Sequence, residues 1–187
     1  MKLILASQSP RRRELLGLFG IPFDIQVADI DEAMSGDPYT EVARVSRAKA
    51  KAIDANAEDV VIAADTIVVC NGKVLGKPHS EEEAKEMLRL LSGRDHQVMT
   101  GMTVLRGKKE VVVTEVTDLH FRQLSEKEIE RYVASGEPMD KAGSYGIQGG
   151  AALFCGRMEG DYYNVVGLPV CRLGEILKDI APELMEP

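Results

Sequence analysis

The chain has 187 residues, of which 44% are hydrophobic and 28% charged, a balance that excludes disordered and fibrous classes. Lys plus Arg number 23 against 30 Asp plus Glu, and the resulting net charge of −7 disfavours non-specific binding to nucleic acid or anionic membrane. Three cysteines, Cys70, Cys155 and Cys171, cannot all pair and show no C-x-x-C spacing, so reduced thiols in a cytoplasmic protein are expected.

Lys2 to Ala6 reads as a short buried strand, too brief an apolar stretch for a signal peptide. No run anywhere approaches the roughly 18 apolar residues that span a bilayer. A helix follows, with Ser9 as N-cap, Pro10 at its first position and Gly20 just past its end. Phe23 to Ala28 alternates like a strand. Asp37-Pro38 opens a second helix, along which Ala43, Val45, Ala48, Ala50 and Ala52 recur beside Arg44, Arg47, Lys49 and Lys51. Val60 to Val69 is a nearly continuous apolar run that predicts a buried strand, and Asn71-Gly72 predicts a tight hairpin turn after it.

Ser80-Glu81-Glu82-Glu83 has the pattern of a capping box for a helix through Leu91, closed by Gly93. Val98 to Leu105 and Val111 to Phe121 predict two long strands around a Gly107-Lys108-Lys109 turn. Ser125 to Glu128 is a second capping box, for a helix ending at Gly136. Pro169 starts a last helix whose Leu173, Ile176, Leu177 and Ile180 face inward. Alternating helices and strands with hairpins make the class α/β with a mixed sheet and flanking helices.

The motifs G-x-x-x-x-G-K-[ST], G-x-G-x-x-G, H-E-x-x-H and G-x-S-x-G are absent from the sequence, and His79, His96 and His120 are scattered without partner spacing. What carries chemistry is a set of polar residues in unusual places. Ser7-Gln8-Ser9-Pro10-Arg11-Arg12-Arg13 joins a strand end to a helix N-terminus. Cations in a first turn oppose the helix dipole, so these arginines point to a polyanionic ligand, with a solvated basic face as the alternative. Asp65, followed by Thr66, interrupts the apolar run; a carboxylate there costs several kcal/mol unless it is paired, bonded or metal-bound. Asp29-Ile30-Asp31-Glu32 gathers three carboxylates that a cation would relieve, with a solvated acidic loop as the alternative, and Lys77 in Leu75-Gly76-Lys77-Pro78 suits phosphate oxygens. Glu137 to Gly150 is glycine-rich and carries Gln148, whose amide can match the N3–H and O4 edge of uracil or thymine but, by flipping, does not alone exclude cytosine; a structural glycine loop is the alternative.

These segments together resemble the Maf family of nucleoside triphosphate pyrophosphatases, over nearly the whole chain. The resemblance runs through Leu5-Ala6-Ser7-Gln8-Ser9-Pro10-Arg11-Arg12, Ala64-Asp65-Thr66, Leu75-Gly76-Lys77-Pro78, Ser92-Gly93 to Thr100-Gly101, Lys141 to Gly149 and Val166-Gly167-Leu168-Pro169. It implies an elongated mixed sheet with flanking helices and a central cleft, similar to inosine triphosphate pyrophosphatases, in a single domain over residues 1–187 with room for two lobes. It implies hydrolysis of a nucleoside triphosphate to monophosphate and pyrophosphate. Arg11, Thr66 and Gln148 match the subgroup acting on dTTP and UTP and would set specificity.

By the same resemblance Asp65 is the proton acceptor for the attacking water, although a metal-ligand role fits it equally. Glu32 with Asp65 would hold Mg²⁺ or Mn²⁺, and Ser7, Arg11, Arg12, Lys49 and Lys77 would bind the phosphates. Small-molecule nucleoside triphosphates are the expected partners, without nucleic acid or membrane, and a homodimer is compatible with the chain. A purine triphosphate pyrophosphatase and a non-enzymatic regulator of cell division are the competing readings.

Overall fold

Residues 1–27 and 29–185 are described in a computed structural model of the chain. Its elements in order are β1 (Leu3–Leu5), α1 (Pro10–Gly17), β2 (Asp24–Ile25), α2 (Pro38–Lys51), β3 (Val60–Cys70), β4 (Lys73–Leu75) and α3 (Glu81–Leu91). These are followed by β5 (Asp95–Arg106), β6 (Lys109–Phe121), α4 (Glu126–Ala134), β7 (Cys155–Glu159), α5 (Tyr162–Val166) and α6 (Val170–Ile180). The strands form one mixed seven-stranded sheet in the order β2-β1-β3-β5-β6-β7, with β4 added to β3. β1 runs parallel to both β2 and β3, and β4 antiparallel to β3 through the turn at Asn71 and Gly72, whose φ values of 51° and 74° suit such a hairpin.

The chain divides into two compact units. The first comprises residues 1–65, 100–115 and 167–187. Its β1 and β3 pair Leu3 with Val60 and Leu5 with Ile62, and Ile4, Ala6, Val61 and Ala63 pack on Ala50 of α2, with Ile53 and Leu105 against the cluster. α6 adds Leu173, Ile176, Leu177 and Ile180, all buried, as its spacing requires. The second unit comprises residues 66–99 and 116–166. There α3 and α4 pack together, and Phe121, Tyr145, His96 and Phe154 meet edge to face.

Three expectations need correction. The strand expected over Phe23 to Ala28 is only Asp24–Ile25, both exposed at the sheet edge, where alternation has no second partner to enforce it; Ala28 lies outside the described residues. α1 stops at Gly17, and a tighter turn, with Leu18, Phe19 and Gly20 N–H groups bonded to the carbonyls three residues back, carries the chain to Gly20. Ser80 caps α3 at the Glu83 N–H (3.1 Å), but Glu83 reaches past Ser80 to the His79 N–H at 2.7 Å, so the capping box is not reciprocal. The box at Ser125 and Glu128 is complete.

Candidate active site

In the first unit, the segment leaving β1 turns through Ser7 and Ser9 into α1. Ser9 Oγ caps the helix by accepting from the Arg12 N–H at 3.4 Å. Ser7 is buried, and its Oγ accepts from the Ser9 N–H and from the Arg12 guanidinium, each at 3.2 Å. Arg12 Nε donates to the Gly167 carbonyl at 2.8 Å. A cation that opposes the helix dipole is thereby fixed in place by side-chain and backbone acceptors. Burial pulls the Arg12 guanidinium below the ordinary arginine range, Asp65 and then Glu32 push it back up, and Arg11 adds like-charge repulsion.

β3 delivers the carboxylate. Val61 and Ala63 face α2, so strand alternation puts Asp65 on that same face. Lys49 precedes Ala50 on α2, and its Nζ donates to Asp65 Oδ1 at 2.7 Å, with the two side chains only 15% and 12% exposed. Glu32, more exposed, brings Oε1 to 3.1 Å from the same Nζ. Two carboxylates therefore converge on one cationic atom. Hard oxygen donors gathered in this way also fit a divalent ion, which takes one or two carboxylates and completes its shell with substrate oxygens and water. Among the described residues, no group of three or more His, Cys, Asp or Glu side chains is placed to hold a metal ion.

The second unit begins at Thr66, half-buried directly after Asp65 on β3. Lys77 is exposed just beyond β4, where the Gly76 carbonyl accepts from the Gly143 N–H at 3.0 Å and ties the lysine's loop to the glycine-rich segment. Gly143 has φ +67°, and a Cβ there would lie 2.8 Å from a Val68 methyl, so glycine is required. Gln148 is exposed on a turn closed by the Gly149 N–H and the Gly146 carbonyl at 3.1 Å, with Ile147 buried beneath.

Of the expected site residues, Ser7 bonds to Arg12, and Glu32, Lys49 and Asp65 form a second bonded set that Arg12 feels electrostatically. Lys77, Thr66 and Gln148 belong to the second unit. Sequence reasoning did not anticipate the Gly167 carbonyl as an Arg12 acceptor, nor Lys49 as the counter-ion of Asp65 and Glu32. The alanine spacing on α2 signals which face meets the sheet, but only the register with β3 sets Lys49 opposite Asp65. His96 is buried against Tyr145 and His120 pairs with Asp95, which suits structural roles for both.

The fold and this constellation define a class: a mixed α/β protein in which a strand-borne carboxylate, Asp65, and a buried helix-terminal arginine, Arg12, interact electrostatically. The Maf-like protein family model matches residues 2–180, and the chain belongs to that family. It is 49% identical over 180 residues to a protein named dTTP/UTP pyrophosphatase from Bacillus cereus strain B4264, covering 95% of this chain and 94% of the relative. A protein of the same name from Bacillus thuringiensis subsp. konkukian is 50% identical over the same shares. Among solved structures, the Staphylococcus aureus Ham1 protein matches with a TM-score of 0.47 and 18% identity, over 65% of this chain and 72% of that one.

Proposed function

We propose that the protein hydrolyses dTTP and UTP to the nucleoside monophosphate and pyrophosphate, with modified pyrimidine triphosphates as further substrates in a house-cleaning role. The observation that carries this reading is the nearly buried Asp65 carboxylate, joined through Lys49 to Glu32 and facing the field of Arg12. The names of the Bacillus relatives support the same activity and the same bases.

In the reaction, water adds to one phosphorus, the phosphoanhydride bond breaks, and pyrophosphate leaves with added negative charge. Asp65 takes the proton of the attacking water, and the same carboxylate belongs to the pair that would seat a cation. Ser7, Arg11, Arg12, Lys49 and Lys77 hold the phosphate chain and offset the charge that develops on the leaving group. Mg²⁺ or Mn²⁺ held by Glu32 and Asp65 would supply Lewis acidity toward the phosphate oxygens. Arg11, Thr66 and Gln148 select the pyrimidine: the Gln148 amide offers an acceptor for N3–H and a donor for O4.

Release of pyrophosphate from UTP, dTTP, ITP and 7-methyl-GTP, with and without Mg²⁺, tests the proposal. UTP and dTTP are expected to be the fastest, with Mg²⁺ required. Preference for ITP would move the protein to purine clean-up, and no release from any triphosphate would reject hydrolysis.

A further inference from the structure

The turn that carries Gln148 is clamped at both ends by one chain of hydrogen bonds. The Gly146 N–H donates to Tyr132 Oη at 3.0 Å, and the same hydroxyl donates to Glu137 Oε1 at 2.9 Å. The other carboxylate oxygen, Oε2, accepts from the Gly150 N–H at 3.1 Å. Two backbone amides four residues apart are thus fixed by a phenol and a carboxylate, and Gln148 stands exposed in the middle of the span.

The backbone lies directly on this clamp. A Cβ on Gly149 would come 2.5 Å from the Glu137 Cδ, and one on Gly150 3.1 Å from the Tyr132 ring. The clamp is itself held. Tyr132 is buried on α4 and meets Phe154 edge to face at 5.2 Å. Gly136, at φ +77°, turns the chain back at the end of α4, and the Glu137 carbonyl then accepts from Lys141 Nζ at 2.8 Å. Such a network does more than close a loop. An amide that reads a base through two hydrogen bonds must be aimed within a narrow angle, since these bonds weaken steeply once bent below about 120°.

We propose that Tyr132 and Glu137 are positioning residues that aim the Gln148 amide at the pyrimidine base; this rests on the base-reading role proposed for Gln148. Neither touches substrate. Both act through the backbone of the turn.

The test is a double-mutant cycle on UTP hydrolysis with Mg²⁺ present. Tyr132→Phe removes only the hydroxyl and keeps the ring against Gly150 and Phe154. It is expected to raise KM for UTP about 10-fold with little change in kcat, and to add nothing in a Gln148→Ala background. Glu137→Met, which has no carboxylate oxygen for either the Tyr132 hydroxyl or the Gly150 N–H, should do the same and carries the cycle if Tyr132→Phe does not fold. An equal loss in both backgrounds, a loss confined to kcat, or an unchanged KM would overturn the clamp. If Gln148→Ala itself handles UTP like the wild type, the base-reading role fails first and the clamp with it; an impaired Gln148→Ala with an additive cycle rejects the clamp alone.

Discussion

Lys49 Nζ lies 2.7 Å from Asp65 Oδ1, and neither side chain is more than 15% exposed. A charge in such a place is costly alone and tolerable in a pair. The two substitutions that break the pair should therefore behave differently. Asp65→Asn still presents an oxygen to Lys49, so the urea midpoint should stay near the wild-type value while pyrophosphate release falls by at least about 100-fold, the low end for removing an acid–base group. Lys49→Met leaves the carboxylate in place without its cation. It should lower stability by about 1–3 kcal/mol, less than for a fully enclosed pair because both groups keep an edge in solvent. Near-normal turnover in Asp65→Asn would remove Asp65 from the mechanism.

Gln148→Glu replaces an amide that donates and accepts by a carboxylate that only accepts. The carboxylate can still receive the N3–H of uracil but faces O4 with a second acceptor; against cytosine it gains the exocyclic amine but faces the N3 lone pair, so neither base is matched. kcat/KM for UTP should fall about 100-fold, as expected when a site built for a hydrogen bond is left mismatched. Initial rates over a range of UTP concentrations read this directly, and an unchanged kcat/KM for UTP would end the base-reading assignment.

Much of this was legible in the order of residues because single positions violate simple rules. Asp65 stands out in the run from Val60 to Val69 because a lone carboxylate there is expensive, and the three arginines stand out after Pro10 because they oppose a dipole. The element ends at Ser9, Asp37, Ser125 and Gly136 follow from local capping, which depends on residues within one turn. The partnerships were not legible. Lys49 reads as one of four basic residues along α2, and its union with Asp65, 16 residues away, depends on how a helix seats on a strand. Tyr132 and Glu137 carry no such signal, because their roles come from backbone amides that have no sequence signature. Even a local rule failed at Ser80, where the carboxylate of Glu83 found the His79 N–H instead.

Gly101 shows how a remote position can govern the pair. A Cβ at Gly101 would meet the Val42 carbonyl, with Val42 C at 2.5 Å and Ala43 N at 2.7 Å, all backbone of α2. Rotamer changes cannot relieve that contact, so the helix itself has to move. Nearby the buried hydroxyls of Ser46 and Thr103 bond at 2.8 Å and further join α2 to β5. Gly101→Ala should therefore destabilise by about 1–3 kcal/mol, as overpacking does. It should also depress turnover well below what that loss of stability explains, because Lys49 rides on the displaced helix. Urea denaturation alongside kcat at 25 °C separates the effects; a variant that is less stable but fully active at that temperature would show that α2 can shift without disturbing Asp65.

His96 supplies a pH dependence of stability with a definite sign. It is 3% exposed, its Nε2 lies 2.7 Å from the Tyr145 hydroxyl, and burial pulls its pKa down to about 4. The unfolded chain binds a proton at this residue near pH 6.5, whereas the folded chain resists until about pH 4. Between those values the unfolded state carries more protons, so stability is full above the upper limit and declines as pH falls toward the lower one. Linkage puts the loss at about 2 kcal/mol between pH 7.5 and pH 5. Most other shifted carboxylates, such as Asp59 and Glu128, are held below the usual carboxylate range, so their contribution is lost only at lower pH. His96→Gln retains a group that can bond Tyr145 but cannot titrate. Guanidinium midpoints of the wild type should drop over this range and those of His96→Gln should stay nearly level, whereas parallel curves would mean that the imidazole takes up its proton as readily in the folded chain as in the unfolded one.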